Sequence, residues 1–148
     1  MFRTNLRREA PSIKKRKTHA SKAVHNPRNL AIQLRATGGV DVVEIGEDPA
    51  LSKLHEIVGG YIEGVALDLP VSDPIVMLCD EEGKIKDKPV NNIASAIMAA
   101  YPFDYCVGDA LMLAMDGDDL VGLTESQMTV LKAIVGQVAR NHGCGVAL

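Results

Sequence analysis

Three cysteines (Cys79, Cys106, Cys144), four histidines and two acidic clusters are the residues whose types could do chemistry in this sequence. The HGC run from His142 to Cys144 brings two metal-ligating types together. A zinc site asks for three or four ligands at recognisable spacing, and no second Cys/His pair accompanies this one. His142 therefore reads as a histidine near the negative end of a helix dipole. His19 and His25 fall in a basic N-terminal stretch, and His55 on the polar side of a short helix. Cys79 and Cys106 sit among apolar residues, as buried structural thiols do. Asp116, Asp118 and Asp119 could offer oxygens to a hard cation, but the places where an EF-hand needs its later ligands and its glycine hold Leu120, Gln127 and Val121. Asp80, Glu81 and Glu82 form the second acidic cluster, again in a turn. Gly83-Lys84 resembles the end of a phosphate loop, yet the leading glycine is absent and no hydroxyl follows the lysine. The nucleophile elbow G-x-S-x-G does not occur. These residues support no catalytic assignment, no metal and no cofactor, and the expectation is a non-enzymatic protein. A minor alternative is a small enzyme with a pocket near Gly64 and Gly108, strand glycines that mark bulges or close backbone crossings.

Charge carries the sharper signal. The net charge of -3 conceals a division: Met1 to Arg28 holds nine Lys/Arg against one acid, Glu9, a formal +8, and the remainder holds seven Lys/Arg against eighteen Asp/Glu, a formal -11. Arg7, Arg8, Lys14, Lys15, Arg16, Lys17, Lys22 and Arg28 are the candidate contacts to a nucleic-acid backbone, where counterion release supplies most of the binding free energy. Phe2 is the only aromatic there, so base stacking is poorly provided for. The bland counterpart is a solvated tail that folds back on the acidic body or on a neighbouring copy. The first reading is thus a protein whose basic arm binds nucleic acid or an acidic protein surface. The alternative makes the acidic body the working surface, a DNA mimic or an inhibitor docked on a basic host protein through Asp80, Glu81, Glu82, Asp116, Asp118 and Asp119. Mimicry requires those acids to line one continuous face. No apolar run approaches the roughly 18 residues of a membrane span, and the N-terminus lacks the apolar segment of a secretory signal. A soluble, cytoplasmic protein is expected, with virion association left open.

The elements that must position these residues follow from pattern. A chain of 148 residues that is 47% hydrophobic but 3% aromatic builds one domain with an aliphatic core. The basic segment 1–28 shows no sustained apolar period and reads as an arm; 29–148 is the folded body. LAIQLRA and VDVVEIG, joined at Gly38-Gly39, predict a hairpin. EDPALSKLHEIVGG predicts a short helix capped by Asp48, with Pro49 at its first position and Gly59-Gly60 at its left-handed C-terminal end. A glycine pair after a helix meets carbonyls, not the anion-attracting N-H groups that precede one. YIEGVALDL and PIVMLCD read as strands. A helix begins at Asn91 or Asn92, with Ile93, Ile97 and Tyr101 on one face, and stops before Pro102. DYCVGDALMLAM reads as a central strand. Thr124 and Gln127 form a capping box ahead of a helix that buries Met128, Leu131, Ile134, Val135 and Val138, and VAL at the C-terminus reads as an edge strand.

Together, VGGYIEGV (Val58 to Val65), DEEGK (Asp80 to Lys84), P-x-N-x-x-A (Pro89, Asn91, Ala94), D-x-x-x-G-D-A-L (Asp104, Gly108 to Leu111) and LTE (Leu123 to Glu125) resemble, in order and spacing, domain-of-unknown-function family 3846. The resemblance covers roughly Val40 to Met128. Family members usually carry Arg where this chain has Asn92. The resemblance implies a bacterial, phage or mobile-element accessory setting, sometimes beside antirestriction genes, and no assigned activity or cofactor. The fold class expected is α+β: a mostly antiparallel sheet of five or six strands with two or three helices packed on one face.

Overall fold

The computed structural model describes residues 28–98 and 104–143. Among the described residues, nine elements follow one another: β1 (Leu30–Leu34), β2 (Val40–Glu44), α1 (Leu51–Val58), β3 (Ile62–Leu67), β4 (Ile75–Asp80), α2 (Asn92–Met98), β5 (Ala110–Asp116), β6 (Asp119–Val121) and α3 (Glu125–Asn141). The strands make one antiparallel sheet in the order β2-β1-β5-β4-β3, an α+β architecture. β4 occupies one edge of β5, from Ile75 opposite Ala114 to Leu78 opposite Leu111. The other edge is shared: β1 pairs with Ala110 to Met112 and β6 with Ala114 to Asp116.

Because successive strand residues point to opposite faces, the two central strands feed two cores. Met77, Cys79, Ala110 and Met112 join Ile93 and Ile97 of α2 and Leu131 and Val135 of α3 in one. Val76, Leu78, Leu111 and Leu113 join Leu54 and Val58 of α1 in the other. The helices expected on one face are therefore divided, two against one. The reason lies in the strands: every residue of β4 is buried, and so are the first five of β5, so both faces need a cover.

Local signals explain most element ends. Gly59 adopts the left-handed conformation (φ 90°) and its N-H donates to the His55 carbonyl, closing α1. The helix starts later than expected, with Ala50 at its N-cap and no side-chain cap, so Asp48 is not its capping residue. The Thr124–Gln127 capping box is formed in both directions. Gly64 pairs with Leu78 in an unbroken register from Ile62 to Leu67, so it marks no bulge. The stretch expected as a strand from Asp104 forms β5 only from Ala110, after a left-handed turn at Gly108 (φ 76°). A Cβ on Gly122 would run into the Arg28 carbonyl, which accepts the Gly122 N-H at 3.0 Å. Tyr101 and the expected C-terminal strand lie outside the described residues. Among the described residues, no helix is long and apolar enough to cross a membrane.

Candidate functional site

At the corner where β4 ends and β3 begins, the chain turns back at residues 81–90 and meets the loop ahead of β5. Asp80 is the hinge of this corner. Its side chain is fully enclosed, yet its carboxylate is completely partnered: Oδ1 accepts the Glu82 N-H at 2.9 Å, and Oδ2 accepts Lys86 at 2.9 Å and Lys88 at 2.6 Å. Asp87, between the lysines, takes a left-handed backbone (φ 57°), and both neighbouring ammonium groups reach the same oxygen. Lys88 also donates to the Gly59 carbonyl at 3.1 Å, tying the end of α1 to the knot. Glycines allow the close packing: a Cβ on Gly60 would lie 2.6 Å from the Asp80 carboxylate, one on Gly83 2.6 Å from Val107 Cγ2, and one on Gly108 2.8 Å from Lys88 Cδ.

Beside the knot lies a cavity of about 260 Å³. Glu63, Asp80 and Glu81 border it, Lys84 and Tyr105 form its exposed side, and Cys79, Cys106, Val107 and Met98 line the remainder. Lys84 donates to Asp104 Oδ1 at 2.8 Å and stands 4.3 Å from the Tyr105 ring centroid, an ion pair and a cation-π contact together. Below this side, the Cys106 thiol approaches the Cys79 sulfur to 3.3 Å. Asn91, wholly buried, ties the same corner to β1: its amide donates at 2.9 Å to the carbonyls of Leu34 and of Gly108, and its Oδ1 accepts the Ala94 N-H at the start of α2.

Burial pushes the Asp80 carboxyl up, but Lys88, Lys86 and the Glu82 N-H outweigh it and hold it below the usual carboxylate range. Hydrogen bonding to Lys84 lowers Asp104, and the same bond raises Lys84 against the opposing effect of burial. All three move away from neutrality, the reverse of the tuning a general acid or base needs. The Cys79 thiol is pushed far up by its hydrogen bond with Cys106, by burial and by the charges of Glu63 and Asp104. The cavity therefore holds Asp80 and Lys84 in ion pairs beside a buried pair of thiols. Among the described residues, no group of three or more His, Cys, Asp or Glu is placed to hold a metal.

A pH dependence follows. A carboxyl whose folded pKa is depressed contributes stability that is present above its unfolded value, about 3.9, and lost as pH falls through the folded value. Urea midpoints of the parent should therefore fall steeply below about pH 4. In Asp80→Asn this part of the decline should be missing and the profile shallower; parallel profiles would refute the assignment.

The residues expected to face a partner are not gathered in one place. Asp80 is interior, Glu81 half-buried and engaged, and Glu82 exposed on the turn. Asp116 and Asp118 are exposed and Asp119 half-buried on the β5–β6 hairpin, which the β4–β5 register puts at the other end of the sheet. These six acids form two clusters, not one continuous face. Of the arm cations, Arg7, Arg8, Lys14, Lys15, Arg16, Lys17 and Lys22 lie outside the described residues. Arg28 is fastened to the body: Nε donates to the Gly122 carbonyl at 3.1 Å, one terminal nitrogen to Gln127 Oε1 at 3.4 Å, and Asp73 lies at 3.8 Å. The cavity does lie one residue from both Gly64 and Gly108, through Glu63 and Val107. Sequence reading passed over Lys86 and Lys88, whose spacing around a turn has no helical or strand period. It took Asn91 for a helix start and a piece of the family motif, not for the side chain that ties β1 to the Gly108 turn.

An antiparallel sheet clad by helices on both faces, with a cavity bordered by ion pairs at one corner, defines a small α+β domain. The chain belongs to the family described as Domain of unknown function (DUF3846), whose model matches residues 31–136. No curated protein and no solved structure compared with the chain matches it. Four of the five motif pieces that carry the resemblance, far apart in sequence, meet at the corner just described, through Gly60, Glu63, Asp80, Gly83, Lys84, Asn91, Asp104 and Gly108; the fifth, LTE, lies away from it at the start of α3.

Proposed function

We propose that this protein is a non-enzymatic binding protein whose basic N-terminal segment engages the phosphate backbone of nucleic acid while the anionic body serves as its scaffold. The observation that carries the reading is the charge division, +8 up to Arg28 against -11 beyond it. Two geometric facts favour it over its rivals. The six candidate acids form two clusters at opposite ends of the sheet, which suits neither a DNA mimic nor a single acidic docking face built on them. Of the charged groups at the cavity, Asp80 is held by Lys86 and Lys88, and Lys84 by Asp104. Arg28 spends its guanidinium on the body, so the phosphate contacts fall to the seven cations from Arg7 to Lys22, with Arg3 beside them. The family resemblance suggests a setting in the bacterial cytoplasm among phage or mobile-element accessory proteins.

The test compares the full chain with one in which Arg7, Arg8, Lys14, Lys15, Arg16, Lys17 and Lys22 are all Gln and Arg28 is kept. Affinity for duplex DNA and for RNA is measured by fluorescence anisotropy against salt. Six to eight contacts predict a log-log slope of about -5 to -7 for the parent, collapsing in the variant. Equal, weak binding by both chains would reject the reading.

A further inference from the structure

Cys79 closes the row of β4 side chains that faces α2 and α3, and Cys106 comes from the loop ahead of β5, 27 residues away. Each sulfur is carried by a fixed backbone. Cys79 is paired with Glu63 across the β3–β4 ladder. The Cys106 N-H donates to Ser95 Oγ at 2.8 Å, and its carbonyl accepts the Asn91 N-H at 2.8 Å. Both residues are buried, free thiols, 3.3 Å apart at sulfur, and both border the cavity. A disulfide has an S-S length of about 2.05 Å, so closure asks for little more than ~1 Å of approach, within reach of side-chain rotation. We propose that Cys79 and Cys106 are an oxidisable dithiol site in this cavity, converted to a Cys79–Cys106 disulfide by exchange with a small-molecule disulfide.

The exchange balances in two steps. One cysteine loses its proton, and its thiolate attacks a sulfur of the reagent, forming a mixed disulfide and expelling the reagent's other half as a thiolate, which takes up that proton. The second cysteine then loses its proton and attacks the protein sulfur of the mixed disulfide. It expels the remaining half in the same way. Two S-H bonds and the reagent S-S bond are exchanged for one protein S-S bond and two reagent thiols; the protein gives up two electrons and the reagent accepts them. The attacking species is the thiolate, so the reaction is faster as pH rises. The product would staple the loop that carries Tyr105 and Val107 to β4, fixing one wall of the cavity. This site is independent of the arm.

The test uses the full native chain and hydroxyethyl disulfide at mildly alkaline pH, followed by denaturation, blocking of remaining thiols and tryptic mass spectrometry. Lys84, Lys86, Lys132 and Arg140 separate the three cysteines into different peptides. The expected product is a cross-linked pair containing Cys79 and Cys106, lighter by two hydrogens than the two peptides, reversed by dithiothreitol and formed equally in Cys144→Ser. Its rate should climb with pH. A chain unfolded before the reagent is added should carry mostly separate reagent adducts, which proves the reagent active. The proposal is overturned if both residues stay blocked as thiols in the native chain, if they carry separate adducts there, or if Cys144 is the dominant partner of either.

Discussion

Asp80→Ala should lower the unfolding free energy by about 3 kcal/mol, the cost of breaking a buried charge pair from one side. The substitution takes the shared acceptor from Lys86 and Lys88 and leaves the Glu82 N-H without its 2.9 Å partner. The lysines are partly exposed and can turn to water, which keeps the loss toward the low end of that range. Gly60→Ala alone should also destabilise, by about 1–3 kcal/mol, because its new methyl lands 2.6 Å from a carboxylate that three donors hold in place. Combined, the two should cost less than their sum by about 1 kcal/mol or more, since removing the carboxylate vacates the space the methyl needs. Gly60 is not in the positive-φ region, so no backbone strain confuses the comparison. Urea denaturation of the four chains completes the cycle. An additive pair, or a loss for Asp80→Ala within the ~0.5 kcal/mol of ordinary surface changes, would show that the knot is not the joint described.

The contrast between what sequence made visible and what it hid has a physical pattern. The Thr124–Gln127 box, the left-handed Gly59 and the turn at Gly38-Gly39 are contacts between residues at most five apart, and local chemistry dictates them. The central place of β5 was legible because a long apolar run must be buried. That the same runs require covers on both faces escaped the reading, which put the helices on one face although the apolar residues of IVMLC do not alternate with polar ones. The corner was not legible. Asp80 stands among Glu81 and Glu82 and looks like a third surface acid, and only the return of the turn brings Lys86 and Lys88 over it. Likewise the contact of Cys79 with Cys106 depends on how residues 81–105 close, which no spacing rule encodes. The candidate site thus rests on long-range closure, and the elements around it on local rules.

Asn91 should prove still less tolerant. Its side chain makes three bonds with no exposure to water, to the ends of β1 and of the Gly108 turn and to the first turn of α2. Asn91→Ala strands two carbonyls and one N-H in a dry corner, at about 1–3 kcal/mol apiece when unsatisfied, and local relaxation should bring the total to about 4 kcal/mol. The more telling change is Asn91→Asp, which keeps size and the acceptor for Ala94 but turns a two-hydrogen donor into an oxygen facing the Leu34 and Gly108 carbonyls. Burial and those carbonyls must raise the new carboxyl above its unfolded value. A raised carboxyl is disfavoured in its charged form, so the penalty is largest at neutral pH. As pH falls through the raised folded value, the acid protonates, one O-H can donate again, and the gap to the parent should narrow down to the unfolded value of about 3.9. Urea midpoints measured from neutral to mildly acidic pH test this directly. A constant gap, or an Asp variant as stable as the parent at neutral pH, would mean that the amide does not hold β1, the Gly108 turn and α2 together, and the cavity wall would then have to be fixed by the Val90–Val107 bridge and the Ser95–Cys106 contacts instead.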